Sequence, residues 1–401
     1  MSPCPRGADR LDGSTTCAIL YGSLNNNVRI LVDYRPALRQ RTGVGEYTHE
    51  IVRAYAQTSR DQLTVFTSSW RDRPSSDLSA ELGVRVIDRR VPVRVLNTCW
   101  GRFGWPPVEW VAGEGPYDVV HSSSPLLIPS QSAAQIVSLF DVYFATVTDA
   151  PPLPRGAADT DRARVHAQLA DAIVTTSDYS RRAIVGQFAV AAERIHVCPP
   201  GVPSWCQEVI RRPSDVPYVL FVGTLESRKN LGVVLDAWAA LTARAGGRYR
   251  LVVAGGNGDA AEVWNARARH ADMHGTIDVR GYVSDNERRA LYAAASALVL
   301  PSHDEGFGLP VLEAMAVGVP VLASDRGALP EVTAGAALLL PPDDAEAWSS
   351  ALERVLADQT LADALSARGR TRATAYSWDT GAQALRAAYE AAVERREARR
   401  R

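Results

Sequence analysis

DEGFGLPVLEAMAVGVPVLASD, Asp304 to Asp325, is the stretch on which the reading of this chain turns. It follows the apolar run ALVLPS (Ala297 to Ser302), which has the pattern of a buried strand. It then enters a helix whose first turn accepts Pro310 without losing a hydrogen bond. A strand, a glycine-bearing turn and a helix in that order present free backbone N–H groups at a helix N-terminus. That is a ready site for an anion, most naturally phosphate. Gly306 and Gly308 let a ligand approach those amides closely, because no side chain intervenes. Two carboxylates flank the turn, Glu305 before the helix and Glu313, expected in its first turn. Both face a ligand whose sugar or ribose hydroxyls they can accept hydrogen bonds from. Read more plainly, they are two solvated acids around a helix start.

Working outward, the same strand-to-turn pattern recurs at YVLFVGTLESRKN, Tyr218 to Asn230. Of the 44 basic residues in the chain, 43 are arginine and one is lysine, Lys229. A position that keeps lysine against such a bias points to a need for a compact ammonium rather than a planar guanidinium. Arg228 stands beside it, at the carboxyl end of a strand. Cations at a helix start oppose the helix dipole. An anion bound between them would remove that conflict, and a departing diphosphate is such an anion.

The wider chain repeats this alternation twice. Seven strand candidates run from VRILVDY (Val28 to Tyr34) to RIHVCPPG (from Arg194), and five more from Tyr218 to PVLASD (Pro320 to Asp325), with helical patterns between them. Alternation of this kind predicts an α/β fold of two doubly wound, Rossmann-like domains facing across a cleft. The expected boundaries are a disordered extension at 1–27, a first domain at 28–205, a linker at 206–217 and a second domain at 218–375. Residues 376–401 are expected to form a helix crossing back to the first domain, ending in a basic tail. A length of 401 residues suits two such domains.

Composition narrows the function. A net charge of −1 argues against a nucleic-acid partner. No run of about 18 apolar residues predicts a membrane span. Met1 to Asn27 carries Pro, Gly, Asp and Arg where a secretory leader needs an apolar core. Five cysteines without a Cys-x-x-Cys pair suit a reducing compartment. A cytoplasmic protein is expected.

The segments TGVGEYTHE, DAIVTTSDYSRRAI, FVGTLESRKNL and EGFGLPVLEAMAVGVPVLASD, with YSWDTGAQALRAAYE near the end, together resemble the retaining family 4 glycosyltransferases of GT-B fold. The likeness is greatest to bacterial mannosyltransferase-like members and runs from about Val28 to Ala391. Its most specific part is the Glu-x7-Glu spacing of Glu305 and Glu313. The resemblance implies a nucleotide-diphosphate sugar as donor substrate, with GDP-mannose the first choice, and a glycan or lipid-linked acceptor. It implies that Glu305 contacts the donor sugar with the amides of Gly306, Phe307 and Gly308. Leu309 would give its N–H to phosphate, Glu313 would hold the ribose, and Arg228 with Lys229 the diphosphate. Gly223 and Thr224 would border the donor, and Tyr282 and Val283 the base. Gly43 and Gly45, in the loop after the first strand, would border acceptor and phosphates. No Asp-x-Asp pair is placed to hold a metal, so no metal or other cofactor is expected.

Two departures from the family pattern matter. Thr224 stands where many relatives have arginine, and Phe140 precedes Asp141 where relatives often have histidine. His121, near the end of a strand, is a candidate for the active-site histidine or else a histidine satisfied in the core. Between Arg85 and Trp110, five arginines alternate with Trp100, Phe103, Trp105 and Trp110. Cationic and aromatic side chains together suit an anionic membrane surface on the cytoplasmic leaflet. The other reading is a core tryptophan cluster beneath a solvated arginine face. Two further function classes share the architecture: a nucleotide-sugar epimerase, which needs a general base and no acceptor, and a non-catalytic nucleotide-sugar-binding protein.

Overall fold

Strands buried on both faces carry the alternation into two parallel sheets, in a computed structural model that describes residues 27–38, 43–143, 156–273 and 275–401. The extension expected at 1–27 lies, but for Asn27, outside the described residues. The first sheet contains β1 (Arg29–Asp33), β2 (Gln62–Ser68), β3 (Arg85–Arg89), β4 (Val119–Ser122), β5 (Ala134–Ser138), β6 (Ala172–Thr175) and β7 (Ile195–Val197). Their spatial order is β3-β2-β1-β4-β5-β6-β7. The second contains β8 (Tyr218–Val222), β9 (Arg250–Ala254), β10 (Ile277–Gly281), β11 (Ala297–Leu300), β12 (Val321–Ser324) and β13 (Leu338–Leu340), ordered β10-β9-β8-β11-β12-β13. Neighbouring strands pair in parallel throughout, for example Val32 with His121 and Leu298 with Val321.

In each sheet the strand order reverses at the central strand, between β1 and β4 and between β8 and β11. Loops leaving the carboxyl ends of those strands diverge, and the crevice between them is where such folds receive ligands. The central strands are continuous apolar runs because helices cover both faces. Ala297, Leu298, Val299 and Leu300 are all fully buried.

The alanine-rich C-terminal stretch is helical, and its last helix falls within the expected 376–401. Three helices form, Ala345–Ala357, Gln359–Ala373 and Trp378–Ala398. Asp358 and Ser377 interrupt it, each accepting a hydrogen bond from a backbone N–H at the start of the next helix. The last helix leaves the second lobe and packs on the first. Trp378, Leu385 and Tyr389 share one core with Ile30, Val32, Ile51 and Tyr55. Strand β13 lies outside the expected strands, since three residues are too few to show a period. At the start of the expected linker, a short helix (Trp205–Glu208) places Trp205 and Cys206 in the core of the second lobe. No helix among the described residues is long and apolar enough to cross a membrane.

Candidate active site

The crevice between the lobes is built from the loops that leave β8 and β11. After β8 the chain makes a single tight turn, Ser227–Lys229, before the helix Leu231–Ala245. After β11 it passes Pro301 to Gly308 and enters the helix Leu309–Val317. The two loops are joined by their backbones, with the N–H of His303 donating to the carbonyl of Arg228 at 2.9 Å.

Lys229 and Glu305 meet here. The Lys229 ammonium donates to Glu305 Oε1, which also accepts from Ser302 Oγ at 2.7 Å. Arg228 Nη1 lies 3.4 Å from Glu305 Oε2 and donates to the Asp304 carbonyl at 3.0 Å. Glu305 is only 5% exposed. Burial raises its pKa, but Lys229 and Arg228 outweigh burial and hold the carboxyl below its ordinary value. Thus the crowding of two cations at a helix start, read from the sequence as a demand for a bound anion, is met internally by a carboxylate. Asp304 next door shows the opposite balance. Burial raises its pKa, and Asp141 and Glu305 add repulsion.

Gly306 and Gly308 are required for reasons the sequence did not separate. A Cβ on Gly306 would stand 1.9 Å from the carbonyl oxygen of Phe140 in the opposite lobe. Gly308 caps the helix with φ +94°, and a Cβ there would meet Leu329 Cδ2 at 2.7 Å. The carbonyl of Gly306 is held from the first lobe by the Ser177 hydroxyl at 2.7 Å, with Ser180 and Thr176 each at 3.2 Å. Glu331 of the second lobe accepts the N–H groups of Asp178 and Tyr179, both at 2.9 Å.

Most residues singled out in the sequence line this crevice: Gly223, Thr224, Arg228, Lys229, Tyr282, Val283, Glu305, Gly306, Phe307, Gly308, Leu309 and Glu313, with Gly43 from the first lobe. Three expectations need correction. Gly43 and Gly45 lie in the first turn of the helix Gly43–Thr58 rather than in a loop, and Gly45 is turned from the crevice against the carbonyl of Pro36. Glu313 falls in the second turn of its helix, because the helix begins only at Leu309. His121 belongs to the core. It sits in β4, 2% exposed, with Nδ1 at 2.9 Å from the Tyr389 hydroxyl and Nε2 at 2.9 Å from Ser138 Oγ. Burial lowers its pKa to about 4, so it stays neutral at physiological pH.

The sequence reading missed Glu46, Tyr47 and Arg288, which also line the crevice. The local signal for Glu46 and Tyr47 was present in GVGEY. Arg288 lies one turn into the helix Asp285–Ala294 and carries no motif. At the Phe140 position, where relatives often have histidine, an aromatic ring packs edge-on against Tyr47 with centroids 4.8 Å apart.

The architecture and this crevice agree with comparison to known proteins. The family model for Glycosyltransferase Family 4 matches residues 41–204, and that for Glycosyl transferases group 1 matches residues 207–372. The chain is 29% identical over 371 residues to the O-antigen chain mannosyltransferase B of Escherichia coli, covering 88% of this chain and 97% of that protein. It is 30% identical over 320 residues to a D-inositol 3-phosphate glycosyltransferase of Nocardioides sp., covering 71% and 69%. Among solved structures, sucrose-phosphate synthase from Thermosynechococcus elongatus superposes with a TM-score of 0.72 at 22% identity, over 90% of this chain and 98% of that one. Anabaena Alr3699/HepE in complex with UDP-glucose gives 0.69 at 16% identity, over 90% and 99%. Two parallel-sheet lobes and these matches define a glycosyltransferase. The chain belongs to the family 4 glycosyltransferases of GT-B fold.

Proposed function

We propose that this protein is a retaining hexosyltransferase that moves a sugar, mannose first among the choices, from a nucleotide-diphosphate donor to a glycan or lipid-linked acceptor. The observation that carries the proposal is the cluster of Lys229, Arg228 and Glu305 at the mouth of the Leu309–Val317 helix. When the bond from the anomeric carbon to phosphate breaks, positive charge stays on the sugar and negative charge on the diphosphate. Lys229, Arg228 and the helix N-terminus stabilise the latter without calling on a metal. Glu305 would meet the sugar, and Glu313 the ribose. In the proposed step the acceptor oxygen bonds to the anomeric carbon on the face the phosphate leaves. The acceptor proton passes to the departing phosphate oxygen, so the anomeric configuration is kept.

Mannose rests on the O-antigen mannosyltransferase relative, and a nucleotide-sugar donor gains support from the UDP-glucose held by a structural neighbour. The acceptor proposal adds a membrane surface on the first lobe. Trp100 is buried, whereas Phe103, Trp105 and Trp110 are each more than half exposed, with Trp105 and Trp110 edge to face at 6.1 Å. Arg90, Arg94 and Arg102 of the same segment are exposed, and the Arg102 guanidinium lies 5.8 Å from the centre of the Phe103 ring. Exposed aromatic and arginine side chains on one segment suit an anionic bilayer on the cytoplasmic side.

The deciding experiment is binding and turnover across a panel of nucleotide sugars, with the product anomer read by NMR. Transfer or slow hydrolysis of one donor, with retained configuration, supports the proposal. Interconversion of the donor sugar without release of nucleotide makes the protein an epimerase. Binding without any turnover makes it a sugar-nucleotide receptor.

A further inference from the structure

Arg288 lies outside the motifs that carry the donor reading, yet it touches both sides of the crevice. It projects from the helix Asp285–Ala294, whose start is fixed by a capping box between Ser284 and Glu287. One arm of its guanidinium, Nη1, is 3.1 Å from Glu313 Oε1. The other, Nη2, is 3.6 Å from Glu46 Oε1 of the first lobe and 3.5 Å from Asp285 Oδ1. The guanidinium lies 5.2 Å from the centre of the Trp205 ring, which supports its plane from behind.

Glu313 is 2% exposed, and its Oε2 makes no well-formed hydrogen bond among the described residues; the Tyr292 hydroxyl, which donates to the Pro310 carbonyl at 3.3 Å, is the one other neighbouring donor that helps hold its charge. A buried carboxylate oxygen left unpaired is costly, and it lines the crevice where a ligand's hydroxyls can reach it. Burial pushes both Glu313 and Glu46 above their ordinary pKa, and in each case Arg288 is the chief force in the other direction. Remove the guanidinium and two buried carboxylates lose the one cation they share, leaving Glu313 only the Tyr292 hydroxyl beside it. One would take a proton and accept hydrogen bonds less well.

We infer that Arg288 is a positioning residue: its fork fixes the Glu313 carboxylate to accept both hydroxyls of a ribose diol and ties that contact to Glu46 of the opposite lobe. The inference rests on the reading above in which Glu313 meets the ribose. A lysine at this place could serve one carboxylate as a point charge but could not span two.

The test is calorimetric titration of the full chain with GDP, UDP and their 2′,3′-dideoxy counterparts, for wild type, Arg288→Met and Arg288→Lys, with thermal unfolding of each. Wild type is expected to bind the ribose form of its preferred diphosphate about tenfold or more tighter than the dideoxy form. Arg288→Met is expected to lose about tenfold on the ribose form and less than about twofold on the dideoxy form, with Arg288→Lys between wild type and Met. If Arg288→Met does not fold, Arg288→Lys carries the test, since it keeps the charge and the stem. Equal weakening of both ligand forms, or of neither, overturns the inference. A wild type that binds neither diphosphate, or that does not distinguish ribose from dideoxyribose, overturns the Glu313 reading first and the inference with it.

Discussion

Lys229 and Glu305 each occupy a place in which the other makes burial tolerable. Removing one member of a buried pair leaves the other charge uncompensated. Lys229→Ala is therefore expected to lower kcat/KM by about 100-fold or more, from the loss of roughly 3 kcal/mol at the leaving diphosphate. Lys229→Arg is expected to fall well short of rescue, because a guanidinium is broader than the ammonium that fits between Glu305 and the strand end. Steady-state rates with the identified donor check both, and Lys229→Ala activity within about tenfold of wild type would contradict the role. His121 makes a different prediction. Its folded pKa of about 4 lies below the ordinary value of 6.5, so between those values the unfolded chain holds the extra proton. Stability contributed by neutral His121 is thus complete above pH 6.5 and falls as pH drops towards 4. His121→Asn is expected to flatten that acid limb in urea titrations at pH 7.5 and 5.0, while transfer at pH 7.5 changes by less than about threefold. Glu305 and Lys229 were legible in the sequence because their chemistry sits in short local motifs. Burial is not a local property, and for that reason His121 could not be placed until Tyr389 and Ser138 were seen around it. Arg288 and Glu46 come from opposite halves of the chain, and nothing near either one announces the other.

At the scale of elements, the helix Leu309–Val317 depends on the conformation of its cap. Gly308 takes φ +94°, which costs other residues about 1–2 kcal/mol, and a Cβ there also strikes Leu329. Gly308→Ala is expected to lower the melting temperature and to weaken nucleoside diphosphate binding by about tenfold, through displacement of the first amides of the helix. Thermal unfolding and calorimetry measure the two effects, and unchanged affinity would separate the amides from phosphate binding. The strand and helix alternation itself could be read ahead of the structure. Strands covered on both faces must be apolar throughout, and such runs stand out. The breaks in the C-terminal helices were less visible, since Asp358 and Ser377 are single caps in an alanine-rich background. Gly43 was misplaced because a glycine pair suggests a loop, whereas here both glycines belong to a helical turn.

For the whole molecule, the crevice joins lobes that hold each other at several points, among them Ser177 with Gly306 and Glu331 with the Asp178–Phe188 helix start. The first lobe also carries the exposed Phe103, Trp105 and Trp110. If this surface docks on anionic lipid, the wild type sediments with phosphatidylglycerol vesicles at low salt. The double variant Trp105→Ala/Trp110→Ala then stays in solution with its donor affinity intact. Failure of the wild type to sediment removes the membrane proposal. Trp105 and Trp110 are exposed, so their loss is not expected to disturb the core.

The helix Trp378–Ala398 sets an order on biosynthesis. Ile51, Tyr55 and their neighbours share their core with Trp378, Leu385 and Tyr389 and are not fully covered without them. A nascent chain must therefore have made the helix at 378–398 before the first lobe, whose strands precede it, can finish folding. Until then that lobe leaves an apolar face uncovered, which is the surface a chaperone would meet during translation.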